Sequence, residues 1–307
     1  MAMCNGKLLS GSFEDAITPL GVIRAWDLST GSQIACLPTR RPFLRFEPVS
    51  SLAGLSKPFT GPDGTQKGGH ASLVMKIRVR SNGDVVTIGR DDSMLISGSD
   101  GIYKTKTPLE AAPVDMACGD NLVAIVTNTK ELKLSSGSAI DTVVPISMAP
   151  TCVAVSPDDS CVAIGGEDNA VHIFDSKGVT KMPKLERHRD AISCVAYSCD
   201  SALLASGCAN KDLVIWSAKD GSPLVTGLNG FHTTRLSCLA WSPGGKLASG
   251  GVDSAIMLWT PETLKEKKPL SGTKLAHTGG GINALVFVNE DTVASAGADA
   301  CIKFWKV

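Results

Sequence analysis

The 307-residue chain has no excess of charge of either sign, since 30 Lys and Arg balance 30 Asp and Glu. Without a basic surplus, nothing draws it to nucleic acid or to an anionic membrane surface. Long hydrophobic runs are missing too. No stretch approaches the ~18 apolar residues that cross a bilayer. The opening Met1-Ala2-Met3-Cys4-Asn5-Gly6-Lys7 holds no apolar segment of signal-peptide type, so a soluble intracellular protein is expected. The ten cysteines include no Cys-x-x-Cys pair, which argues against a zinc site or a disulfide framework. Free thiols at this density fit a reducing compartment. Gly-x-Ser-x-Gly and His-Glu-x-x-His are also absent. Gly279-Gly280-Gly281 lacks the Lys and Ser or Thr of a phosphate-cradling loop and reads as a flexible turn. The expectation is a non-enzyme with no catalytic residue, metal or cofactor.

What is present is a repeated line: His, an apolar strand, a Ser-Gly or Ala-Gly step, an acidic turn, and an aromatic near the end of another strand. It runs His188…Leu204-Ala205-Ser206-Gly207…Val214-Ile215-Trp216, then His232…Leu247-Ala248-Ser249-Gly250…Met257-Leu258-Trp259. A further copy is His277…Val293-Ala294-Ser295-Ala296-Gly297…Lys303-Phe304-Trp305, and one without the His is Val162-Ala163-Ile164-Gly165-Gly166…His172-Ile173-Phe174. The closing aromatics are 42, 43 and 46 residues apart. This period and wording resemble WD-type propeller blades, so the expected fold is all-β, a seven-bladed WD40-type β-propeller. Each blade is a small antiparallel sheet that cannot cover both of its apolar faces, and its neighbours must do so.

The WD resemblance implies a buried hydrogen-bond chain in each blade, from His through Ser or Thr and Asp to Trp. It places such sets at His232, Ser249, Asp253 and Trp259, and at His277, Ser295, Asp299 and Trp305. A third set is His188, Ser206, Asn210 and Trp216, with Asn for Asp. His70 stands at another blade entry and His172 in a strand, so the histidines read as structural. The cysteines follow the repeat as well. Cys152, Cys194 and Cys238 share one position, in Thr151-Cys152-Val153-Ala154, Ser193-Cys194-Val195-Ala196 and Ser237-Cys238-Leu239-Ala240. They read as small packing residues on inner strands.

Apolar alternation and turn residues divide the chain into blades at about 7–69, 70–110, 111–148, 149–186, 187–229, 230–275 and 276–307, with very little helix. The first shows Leu8-Leu9-Ser10-Gly11 and Val22-Ile23-Arg24-Ala25-Trp26-Asp27 around an enlarged turn with Glu14, Asp15 and Pro19. The second, with Val74 to Arg80 and Val85 to Ile88, has lost its Trp. The third, with Val114 to Ala117 and Leu122 to Val126, has lost both His and Trp. A long insertion at about 37–69 carries Arg40, Arg41 and Arg45, and reads as a surface excursion. The first blade is expected to lack an innermost strand and the seventh an outer one. That pattern suggests the carboxy-terminal portion of a longer protein or an incomplete gene product.

Three segments carry a closer likeness: Cys152-Val153-Ala154-Val155-Ser156-Pro157 with Val162 to Asp168, Cys238-Leu239-Ala240-Trp241-Ser242-Pro243 with Leu247 to Asp253, and Ser295 to Trp305. They resemble the second half of the actin-interacting protein 1 family, most specifically after Thr151. The resemblance implies two tandem propellers that bind cofilin-decorated actin filaments and promote their disassembly. The partners would then be actin and cofilin, the location the cytoplasmic actin cytoskeleton, and this chain the second propeller, with an amino-terminal propeller in the full-length protein. Propeller partners dock on the loops at the narrow end, here Arg90, Asp91, Glu167, Arg189, Asp190, Lys211, Arg235 and Val252. Mixed charges there suit a protein surface better than a phosphate backbone. A generic WD-repeat scaffold, for example a ubiquitin-ligase substrate receptor, is the alternative.

Overall fold

A computed structural model describes the backbone at 2–4, 7–13, 21–27 and 33–38, and then residues 70–98, 103–228, 230–266, 269, 271–273, 275–277, 281–299 and 301–307. The insertion beyond Pro38 and the enlarged turn at Glu14, Asp15 and Pro19 lie outside the described residues. Among the described residues the strands form antiparallel sheets in chain order, six of them four-stranded and the last three-stranded. The first sheet holds Ala2–Cys4, Lys7–Phe13, Gly21–Asp27 and Gln33–Pro38. The second holds Val74–Val79, Val85–Gly89, Ser93–Ser97 and Tyr103–Pro108. The third follows with Pro113–Cys118, Val123–Thr127, Glu131–Ser135 and Thr142–Pro145.

The later sheets are more regular. The fourth comprises Pro150–Val155, Val162–Gly166, Ala170–Phe174 and Leu185–Glu186. The fifth comprises Ile192–Tyr197, Leu203–Cys208, Leu213–Ser217 and Pro223–Val225. The sixth comprises Leu236–Trp241, Leu247–Gly251, Ile256–Trp259 and Ser271–Thr273. The seventh stops at Ile282–Asn289, Thr292–Gly297 and Ile302–Lys306. The first strands of successive sheets pack beside one another, and that of the seventh reaches back to Ala2–Cys4, closing a ring.

Two expectations change here. Among the described residues six complete four-stranded blades are present rather than seven; the seventh sheet shows three strands, short of an outer one as expected. The first sheet does not lack its innermost strand: Ala2–Cys4 pairs with Lys7–Leu9. Its three residues are too short to show a two-residue period, and so left no signal in the sequence. A short helix, Pro261–Lys265, the one helix among the described residues, lies in the connection to the last strand of the sixth sheet, capped by Thr260.

The second strands of the second, third, fourth and sixth sheets are buried at every residue, whereas the outer strand Thr142–Pro145 alternates. Continuous burial follows from having a sheet on each face. Between the fourth and fifth sheets, Cys152, Ala163, Ile173, Leu204, Val214 and Trp216 form one buried cluster. Between the fifth and sixth, Ala205, Ile215, Leu236, Leu247 and Trp259 form another. Burying a side chain of this size contributes ~1.5–3 kcal/mol, so the faces between sheets carry the fold.

Hydroxyls reinforce the inner ring. Thr151 Oγ1 lies 3.0 Å from the Gly165 carbonyl of its own sheet and 2.5 Å from the Ile192 carbonyl of the next. Ser237 Oγ repeats this with the Gly250 carbonyl at 3.1 Å and the Ile282 carbonyl at 2.5 Å. Asp115 links three sheets, taking Lys76 Nζ at 2.7 Å and accepting from the Val153 amide at 3.0 Å. Burial pushes the Cys152 thiol up to about 12 and that of Cys238 up to about 11, as expected of packing residues.

Candidate docking rim

In an antiparallel blade, the entry loop and the turn between second and third strands lie at the same end. Beneath three of these pairs of loops, among the described residues, lies a buried anchor. In the sixth sheet Trp259 Nε1 donates to Ser249 Oγ at 3.1 Å, and Ser249 meets His232 Nε2 at 2.9 Å. The other ring nitrogen, Nδ1, lies 3.2 Å from Asp253 Oδ1. Asp253 also accepts from the Thr233 amide at 2.7 Å and the Ala255 amide at 3.1 Å, which ties the entry loop to the turn. With Nδ1–H donating to the carboxylate, Nε2 accepts the serine proton, so the donors run one way from Trp to Asp. Burial works against the Asp253 charge, but the amide bonds from Thr233 and Ala255, and then His232, outweigh it and hold the carboxyl below its usual range.

The seventh sheet repeats the chain with shorter bonds. His277 meets Asp299 at 2.7 Å and Ser295 at 2.7 Å, and Trp305 Nε1 donates to Ser295 at 2.8 Å. Lys303 Nζ adds an ion pair to Asp299 at 3.3 Å.

The fifth sheet keeps only half of it. His188 Nε2 meets Ser206 Oγ at 2.6 Å and Trp216 Nε1 donates to Ser206 at 2.7 Å. Among the described residues the buried His188 Nδ1 has no hydrogen-bond partner, and Asn210 is exposed. Asn210 therefore does not close the expected chain. The neighbouring position supplies the reason. A Cβ at Gly251 would lie 2.5 Å from Asp253 Oδ1 and 2.8 Å from His232 Nδ1, and one at Gly297 would lie 2.2 Å from His277 Nδ1. The fifth sheet has Cys208 there, fully buried, and its side chain takes the space a His–Asp pair needs. Burial lowers the His188 pKa to about 4.

The second sheet holds an anchor that the sequence reading missed. His70 Nε2 meets Thr87 Oγ1 at 2.8 Å and Nδ1 meets Asp91 at 2.7 Å, with the Ala71 amide on Asp91 at 2.8 Å. Gly89 holds the position of Gly251, and a Cβ on it would lie 2.4 Å from His70 Nδ1. The signal was available: Thr87 follows His70 by 17 residues, as Ser249 follows His232, and Gly and Asp come two and four residues later in both. Asp91 thus leaves the rim set as an open docking residue, since its side chain is 9% exposed and also pairs with Lys106 at 2.9 Å. Burial opposes its charge, but His70, Lys106 and the Ala71 amide together hold the carboxyl well below the ordinary range.

Of the other rim residues, Arg90, Glu167, Arg189, Asp190 and Arg235 are exposed and Lys211 is half-buried. Val252 is 39% exposed, an apolar residue at the tip of its turn. In five sheets the turn passes through a left-handed residue, Asp92, Lys130, Asn169, Lys211 and Ser254, with φ between 51° and 64°. That fixes which side chains stand outward. Among the described residues no three His, Cys, Asp or Glu side chains gather as a metal site requires. No described helix is long and apolar enough to cross a membrane.

The ring, the repeated anchors and the turn geometry meet one family. Residues 147–175, 180–217, 222–260 and 269–306 match the WD domain, G-beta repeat. The chain is a WD-repeat protein. Over 247 residues it is 31% identical to actin-interacting protein 1 of Caenorhabditis elegans, a match that covers 78% of this chain and 40% of the relative. It is 32% identical over 229 residues to actin-interacting protein 1 of Drosophila melanogaster, covering 73% and 37%. A 66 kDa stress protein of Physarum polycephalum is 29% identical over 307 residues, covering 98% and 44%. The chain thus spans less than half the length of each of these relatives.

Proposed function

We propose that this WD-repeat propeller is a non-catalytic docking module of an actin-filament regulator, corresponding to the second of two propellers. In this reading it contributes to binding cofilin-decorated filaments and to their disassembly, at the cytoplasmic actin cytoskeleton. The observation that carries the reading is the match, over about three quarters of the chain, to worm and fly relatives named for interaction with actin. The rim suits it physically. Arg90, Glu167, Arg189, Asp190, Lys211 and Arg235 present both signs of charge around the apolar Val252, a pattern that gives specificity and orientation against a folded partner. Buried anchors hold the loops in place before contact, which reduces the ordering cost of binding.

Cosedimentation with actin filaments, with and without cofilin, tests it. The chain is expected to pellet with filaments in a cofilin-dependent manner, and the double charge reversal Arg189→Glu, Arg235→Glu is expected to weaken this about tenfold or more. If the chain stays in the supernatant in both conditions while pull-downs return ubiquitin-ligase subunits, the general scaffold reading replaces it.

A further inference from the structure

The fourth sheet contains a cysteine and a lysine in closer contact than packing requires. Lys181 Nζ lies 2.8 Å from Cys161 Sγ. Cys161 stands just before the second strand of that sheet, 4% exposed. Lys181 lies beside the third strand, its amide bonded to the Ile173 carbonyl at 2.9 Å, with its side chain reaching from solvent. The pair sits at the hairpin end of the blade, away from the docking rim.

One other sheet pairs the same position with a lysine. In the second sheet Asp84 takes the place of Cys161, and Lys104 reaches it at 2.5 Å. The lysine follows its partner by 20 residues in both sheets. The fourth sheet keeps the lysine and replaces the carboxylate by sulfur. Ser160 Oγ, 3.4 Å away, is a further polar neighbour of that sulfur. Tyr197 hydrogen-bonds to it as well; burial first, then the neighbouring Cys161 and Asp158, hold its hydroxyl protonated far above the usual range.

We propose that Cys161 and Lys181 form a reversible covalent redox bridge in which one oxygen atom joins Sγ to Nζ, with a peroxide as the oxidant. The observed separation is shorter than a van der Waals contact and longer than a direct S–N bond, which is the gap that one bent oxygen link fills. The Cys161 sulfur attacks one peroxide oxygen, the O–O bond breaks and water leaves, giving the sulfenic acid. A second peroxide displaces water from it and leaves an S–O–O–H group. The Lys181 amine then attacks the sulfur-bound oxygen, the O–O bond breaks, and the departing hydroxide takes an amine proton as water. In sum, one thiol, one amine and two hydrogen peroxide molecules become S–O–NH and three waters. Sulfur and nitrogen are oxidised and the two peroxides reduced. The bridge ties the second strand of the fourth sheet to the connection leading to its outer strand.

The experiment treats the full chain with hydrogen peroxide, digests it with trypsin without reductant and reads masses. The expected product joins the peptide containing Cys161 to the one containing Lys181. It is heavier than their sum by one oxygen less two hydrogens, with cleavage after Lys181 lost and dithiothreitol restoring both peptides. Lys181→Arg, which keeps the charge at an exposed position and removes the amine, is expected to abolish the product, as is Cys161→Ser. The bridged form is expected to melt ~5 °C higher, the gain disappearing on reduction. Cys161 left unmodified, Cys161 carrying only its own oxygens with Lys181 still cleaved, or a link lacking the oxygen would each overturn the proposal.

Discussion

The fifth and sixth sheets lie side by side and spell nearly the same line, yet one anchors its rim and the other does not. Leu204-Ala205-Ser206-Gly207-Cys208-Ala209-Asn210 stands against Leu247-Ala248-Ser249-Gly250-Gly251-Val252-Asp253. In both, Trp and His meet on a buried serine. Only the sixth continues to a carboxylate that also gathers the amides of the entry loop and turn. The lesson is that the acidic residue and the glycine two positions before it act as one unit, because the His–Asp pair occupies the volume that a Cβ would fill.

The largest break in this comparison comes from writing the fifth sheet into the sixth. Gly251→Cys forces His232 and Asp253 apart, combining overpacking with a newly unpartnered buried nitrogen. A loss of about 4 kcal/mol is expected in urea unfolding.

Acid separates the two sheets without mutation. His188 titrates at about 4 in the folded protein against an ordinary 6.5. Above pH 6.5 neither form holds the extra proton, and this contribution to stability is complete. Between 6.5 and 4 the unfolded chain binds a proton that the folded chain refuses, so stability falls with pH by on the order of 3 kcal/mol. His188→Gln is expected to flatten that window. The contributions of Asp91 and Asp253, whose carboxyls are held low, are lost only at more acid pH, below the ordinary carboxylate value of 3.8.

A third contrast is a pair of truncations. Asp253→Ala leaves His232 Nδ1 and two amides without their acceptor and is expected to cost about 2 kcal/mol. Asn210→Ala touches an exposed side chain and is expected to stay within ~0.5 kcal/mol. A gain smaller than the Asp253→Ala loss sharpens the comparison from the other side. The double substitution Cys208→Gly, Asn210→Asp rebuilds the missing link and is expected to gain about 1 kcal/mol at neutral pH. An NMR titration would also show the His188 pKa moving up from about 4.

The anchors themselves were readable to different degrees. The sixth and seventh sheets announce theirs because His, Ser, Asp and Trp keep fixed spacings, and each of those residue types is needed by a buried donor–acceptor chain. The anchor of the second sheet was overlooked because no Trp follows it. Asp91 accordingly looked like an open rim charge until its contacts with His70, Lys106 and Ala71 appeared. The failure at Asn210 was not readable from polarity, since Asn can accept a hydrogen bond as Asp does. It depends on the volume of Cys208, which matters only once the strands are in register. The Cys161–Lys181 contact was equally silent, because 20 residues of chain separate two side chains that only the packing of strand and connection brings together.

Period, strand composition and turn residues were enough to specify an all-β ring of WD blades, because each sheet must find neighbours for two apolar faces, and that demand is written locally in every repeat. Whether a given His finds its carboxylate, whether the short Ala2–Cys4 segment pairs as an inner strand, and which sulfur faces which amine were decided by the folded ring alone. Those outcomes turn on differences of an ångström or less between side chains far apart in the chain, and residue type and spacing do not encode distances that small.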